Sequence, residues 1–129
     1  MAHGIDLAEV QEACGPTVVV SLKPGEFLFH EGDPAHALYI VKKGTLRIVS
    51  GSTVYETLRP GSVVGEMGIV EEGSRRSASV IAGTSSELIE MDTPKFLALV
   101  SEFPDFSLAV MRVMAHRLRV MNKRYRGTP

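Results

Sequence analysis

Apolar and polar residues alternate in short runs over the first two-thirds of the chain, and the period then lengthens to that of a helix. Apolar positions at Ile5, Ala8, Val10 and Ala13, with Asp6 placed to cap, predict a short helix stopped by Gly15-Pro16. Thr17 to Leu22 is rich in β-branched residues and predicts a strand. Further strands are predicted over Phe27–His30, Ala37–Val41, Thr45–Val49, Thr53–Leu58, Val63-Val64, Ala78–Ala82 and Ser86–Met91. The turns between them are Lys23-Pro24-Gly25-Glu26, Glu31-Gly32-Asp33-Pro34, Lys42-Lys43-Gly44, Ser50-Gly51-Ser52 and Arg59-Pro60-Gly61. About eight short strands parted by Pro/Gly turns indicate a sandwich, jelly roll or barrel, and the number suits a small β-roll.

At Asp92 the pattern changes. Asp92 or Thr93 can cap a helix with Pro94 in its first turn and an apolar face of Phe96, Leu97, Leu99 and Val100. Phe103-Pro104 ends it, and Asp105 caps a longer helix running to about Tyr125. That helix carries two stripes. Met111, Met114, Leu118, Met121 and Tyr125 follow heptad spacing, and Val110, Val113 and Val120 lie beside them. They form either one broad core-facing face, or one stripe on the β-roll and one on a partner helix. The second reading makes the chain a homodimer through its last helix. The predicted organisation is one domain over 1–129: an N-terminal helix in 1–16, a β-roll over 17–91 and C-terminal helices over 92–125.

Composition narrows the class. The 44% apolar and 22% charged residues are those of a globular protein, which excludes a disordered chain. No apolar run approaches the roughly 18 residues of a membrane span, and no basic-then-apolar leader opens the sequence. Cys14 is the only cysteine, so an internal disulfide is excluded and a reducing cytoplasm fits. The net charge of −1 hides an asymmetry: beyond Asp105 there are six bases and no acids, leaving eight bases against fifteen acids in the first 105 residues.

One stretch, Gly65 to Ser79, is built for more than packing. Gly65 and Gly68 let a backbone approach a ligand. A helical turn starting near Glu66 would aim N–H groups at an anion. Arg76 offers a charged two-pronged donor to phosphate oxygens, and Ser77 adds a hydroxyl and its own N–H. The Glu66 carboxylate accepts from hydroxyls. An acceptor for a diol beside donors for a phosphate describes a ribose phosphate; an exposed loop with an Arg–Glu surface pair is the competing reading.

The stretch resembles the phosphate-binding cassette of the cyclic nucleotide-binding domain family, nearest to bacterial regulators of the catabolite activator type. The matching residues are Gly65-Glu66-Met67-Gly68 and Arg76-Ser77-Ala78. Pro24-Gly25-Glu26, Glu31-Gly32-Asp33, Leu38–Val41 with Gly44, and Leu58-Arg59-Pro60-Gly61 are similar to the family's turn and strand pattern, so the likeness covers about residues 17 to 125.

The resemblance implies a mainly β fold: an antiparallel double-stranded β-helix, or jelly-roll, with flanking α-helices, two of them C-terminal. It implies that Glu66 takes the ribose 2′-hydroxyl, that Arg76 pairs with the cyclic phosphate, and that Ser77 and nearby amides complete the cradle. Ile48, Leu58 and Val64 would line base and sugar, and the last helix would close over the base. There this chain departs from the best-known bacterial pattern: Met121-Asn122 stands where a Thr-Ser pair would contact adenine. Asn122 could still bond an adenine edge. Arg117 falls where a ligand-facing arginine can occur, and a solvated helix arginine is equally open. Ser77, rather than a Thr there, favours cyclic AMP over cyclic GMP.

Three other functions compete. A β-roll metal oxygenase needs clustered His and carboxylate ligands, and His3, His30, His36 and His116 are scattered, so neither metal, cofactor nor catalysis is expected. Direct DNA binding is not expected either, because the chain stops at Pro129 with no helix-turn-helix after the basic helix, whose cations suit its own dipole. A degenerate, ligand-free scaffold or interaction domain of the same fold is the alternative; against it, Glu66, Arg76 and Ser77 are all present at the family's spacing. The expectation is a regulatory module that senses a cyclic nucleotide and acts on an unidentified protein partner, away from membranes.

Overall fold

The computed structural model describes residues 5–126, with side chains left out at 13–14 and 124–126. Its elements are α1 (Leu7–Cys14), β1 (Val18–Leu22), β2 (Phe27–Phe29), β3 (Ala37–Lys43), β4 (Leu46–Ser50), β5 (Thr53–Leu58), β6 (Val63–Val64), α2 (Met67–Val70), β7 (Ser79–Ala82), β8 (Ser86–Asp92), α3 (Thr93–Glu102) and α4 (Asp105–Arg126). The strands form two antiparallel four-stranded sheets in the orders β1-β8-β3-β6 and β2-β7-β4-β5. Apart from the β4–β5 hairpin, neighbours within a sheet are far apart in sequence, as the two-sheet β-roll requires.

Two apolar clusters hold it together, and β3 belongs to both. Its successive side chains point to opposite faces. Ala37, Tyr39 and Val41 pack inside the roll with Leu46, Leu58, Val64, Val80 and Leu88. Leu38 and Ile40 pack outward with Val63, Ile89 and Met91 against the helices, through Leu99, Phe106, Val110 and Val113. A strand buried on both faces must be a continuous apolar run, which is why this one reads as central from sequence.

The helices start and stop for local reasons. The Asp6 side chain accepts from the Ala8 and Glu9 amides, and Asp92 accepts from Lys95, with Pro94 in the first turn of α3. Some expectations move. Lys42 and Lys43 belong to β3 rather than to the turn after it. Ala8 is exposed, and Leu97 is 60% exposed instead of joining the α3 face made by Phe96, Leu99 and Val100.

On α4 the two stripes separate. Val110 and Val113 are buried in the helix-side core and Met114 packs against it, whereas Met111, Leu118 and Met121 are 54%, 60% and 61% exposed. The Tyr125 side chain, the last member of the heptad series, lies outside the described residues. Among the described residues, no helix is long and apolar enough to cross a membrane.

Candidate functional site

Arg76 lies at the centre of the site. The residue is only 7% exposed, and its guanidinium donates from Nη1 to the Gly65 carbonyl at 3.1 Å and from Nη2 to the Ala37 carbonyl at 2.9 Å. The Phe29 ring sits 4.1 Å beneath it and Tyr39 at 5.8 Å, giving cation–π support. Among the described residues no carboxylate forms an ion pair with it, and its Nε–H is buried without a partner. Burial lowers its pKa, opposed by Tyr39, Glu66 and Asp33. A buried cation is ordinarily paired with an anion, and among the described residues this one is not.

The backbone around it is fixed. The Arg76 amide donates to the Asp33 carbonyl and its carbonyl accepts from Gly32, both at 2.8 Å, so the loop after β2 braces the cassette. Gly65 has φ +80°, and a Cβ there would stand 2.6 Å from Arg76 Nη1. Only glycine admits both the conformation and the approach. The helical turn is the four-residue α2, whose Gly68 and Ile69 amides are already taken by the Gly65 and Glu66 carbonyls. What the turn can offer an anion narrows to the amides before them.

Glu66 is 7% exposed and has a cationic partner from a distant part of the chain. Arg117, on α4, donates from Nη1 to Glu66 Oε1 at 2.8 Å, from Nε to Glu56 Oε1 at 2.8 Å and from Nη2 to Glu56 Oε2 at 3.3 Å. Its Nη2 also donates to the Val63 carbonyl. Burial alone would lower the Arg117 pKa, but bonding to Glu56 and the charges of Glu66 and Glu56 outweigh it and the net direction is up.

Gly65, Glu66, Met67, Gly68, Arg76, Ser77 and Ala78 are contiguous with this centre, with Ser77 and Met67 exposed and Ala78 half-buried. Val64 and Leu58 are packed inside the roll, Leu58 with no accessible surface, and Ile48 lies at that core's edge. A ligand would therefore meet Leu58 only through its neighbours. Arg117 is not the solvated arginine that sequence left open: its side chain is 17% exposed and donates to Glu66, Glu56 and the Val63 carbonyl. Asn122 is exposed on α4, five residues beyond it. Among the described residues, no group of three or more His, Cys, Asp or Glu could hold a metal ion.

Residues 19–103 match the profile of the family described as "Cyclic nucleotide-binding domain". The chain belongs to that family. The cAMP-activated global transcriptional regulator CRP of Salmonella typhimurium is 33% identical over 102 residues, covering 75% of this chain and 49% of the relative. A lysophospholipase, NTE1 of Chaetomium globosum, is 31% identical over 107 residues, covering 79% of this chain and 7% of the relative. The crystal structure of the catabolite activator protein of Thermus thermophilus superposes with a TM-score of 0.80 at 30% identity, over 95% of this chain and 60% of that one. The chain thus spans about half the length of the curated regulator it matches.

Within this cyclic nucleotide-binding domain, one site residue escaped the sequence reading. Glu56 shares a strand face with the inward Leu58, two positions on, and a carboxylate at an inward position of an alternating strand was the available signal.

Proposed function

We propose that this domain is a regulatory sensor of a cyclic nucleotide, with cyclic AMP favoured over cyclic GMP. The observation that carries the reading is the buried Arg76 guanidinium, which lacks an anionic partner among the described residues and has an orphaned Nε–H. A cyclic phosphate carries one negative charge shared by two exocyclic oxygens, which suit a charged N–H donor. Ser77, Ala78 and the amides of Glu66 and Met67, ahead of the occupied Gly68 amide, complete the cradle, with Gly65 and Gly68 giving the ligand its close approach. Glu66 accepts from the ribose 2′-hydroxyl, Ile48, Leu58 and Val64 form the wall behind sugar and base, and Arg117 and Asn122 bring α4 to the ligand.

The domain acts by binding, not by catalysis. A ligand that engages α4 and the cassette together favours one arrangement of the two, and that difference is the signal. The exposed Met111, Leu118 and Met121 stripe suits a second copy of the chain, and the output passes through that homodimer or to a protein partner.

Titration calorimetry with cyclic AMP and cyclic GMP tests the ligand. Saturable binding with cyclic AMP the tighter is expected. Absence of binding to both would remove the reading, and tighter cyclic GMP would reverse the base preference.

A further inference from the structure

The ligand reading gives Glu56 no task, yet the structure gives it the largest share of Arg117. Both carboxylate oxygens of Glu56 meet the Nε–Nη2 edge of the guanidinium, at 2.8 and 3.3 Å. A bidentate pair fixes the plane of an arginine as well as its position. Once that plane is set, the direction of Nη1 is set too, and Nη1 points at Glu66 Oε1, 2.8 Å away. Among the described residues, no donor is paired with the other Glu66 oxygen, Oε2. The three side chains come from β5, the segment before α2, and α4, with the Val63 carbonyl of β6 closing the arrangement.

We infer that Glu56 is the positioning residue of the sugar site: by holding one edge of Arg117 it turns Glu66 so that Oε2 is the oxygen left for a sugar hydroxyl, and it clamps α4 to that carboxylate. The sugar half of this inference rests on the ligand reading above; the clamp half does not. Glu56 itself stays off the ligand. Its charge also matters, because without it Glu66 and the neutral Val63 carbonyl alone would hold Arg117, while two carboxylates hold it from both sides.

The test compares wild type with Glu56→Gln and Glu56→Asp. Calorimetry reads affinity for cyclic AMP and for 2′-deoxy cyclic AMP, and hydrogen exchange of the ligand-free protein reads the α4 amides around Arg117. In Glu56→Gln the preference for the 2′-hydroxyl should shrink by about threefold to tenfold, while 2′-deoxy cyclic AMP binds within about twofold of wild type. The α4 amides should exchange faster, and Glu56→Asp should recover part of both effects. Equal weakening of both nucleotides, or an unchanged ratio, would overturn the sugar role. Unchanged exchange in Glu56→Gln would overturn the clamp. A wild type that binds neither nucleotide removes the ligand reading and the sugar role together, and the exchange measurement then decides the clamp alone.

Discussion

Arg117 donates to Glu66 at 2.8 Å across 51 residues of sequence, joining the last helix to the carboxylate of the cassette. Both partners are largely buried, at 17% and 9% side-chain exposure. Breaking such a pair by removing one member strands the other charge, so Arg117→Met should cost about 3–5 kcal/mol in chemical denaturation. Adding Glu66→Gln should return part of that loss, because the stranded carboxylate is then neutral. Full additivity of the two changes would contradict a coupled pair.

Arg76 behaves oppositely, since it has no carboxylate to strand. Arg76→Ala removes charge-assisted bonds of about 1.5–3 kcal/mol to a phosphate, a tenfold to hundredfold weakening in calorimetry. Stability of the ligand-free protein should change far less than the removal of a buried arginine ordinarily implies, because an uncompensated charge leaves with it. Wild-type affinity in that variant would place the phosphate elsewhere.

Gly65→Ala should damage the site and the fold together. The residue must hold φ +80° with its Cβ 2.6 Å from Arg76 Nη1. A loss of more than about 1 kcal/mol in thermal or urea unfolding is expected, with weaker nucleotide binding because Arg76 is displaced.

On α4, Leu118 and Val113 should separate assembly from folding. Leu118 is 60% exposed and Val113 is 5% exposed. Leu118→Asp should give folded monomers in sedimentation, whereas Val113→Asp should unfold the domain by placing a charge in the core. A monomeric wild type would count against the partner-helix reading.

Alkaline pH should weaken the fold through Tyr39. Burial raises its pKa from the ordinary 10.0, with Glu90 adding to the shift and Arg76 opposing it. Between the unfolded and folded values the native state keeps a proton that the unfolded chain has released. Its contribution is therefore present below pH 10 and lost as pH rises through the folded value, at most about 1.4 kcal/mol per pH unit. Tyr39→Phe should flatten that part of the stability profile in urea unfolding.

Much of this architecture was legible before any coordinates. The period-2 runs located the strands because alternation and burial share one cause, the pleat. The doubly apolar Leu38–Val41 marked a strand with two buried faces. Asp6, Asp92 and Pro94 marked helix starts because capping is settled within four residues. That Gly65-Glu66 and Arg76-Ser77 lie near one another was legible for the same reason, because they stand close in sequence.

By itself, then, the sequence determined the strands, the caps and the glycine turns, all of which depend on neighbours a few residues away. Tertiary structure alone decided which charges meet. Whether Arg117 faced water or the site, and that Glu56 would share it with Glu66, depended on β5, the cassette and α4 coming together. The sheets did the same for Leu97 and Leu118, which have the composition of core residues and lie where no strand reaches to cover them. Local bonding can be read from local sequence; electrostatic pairing and burial depend on distances that only the folded chain creates.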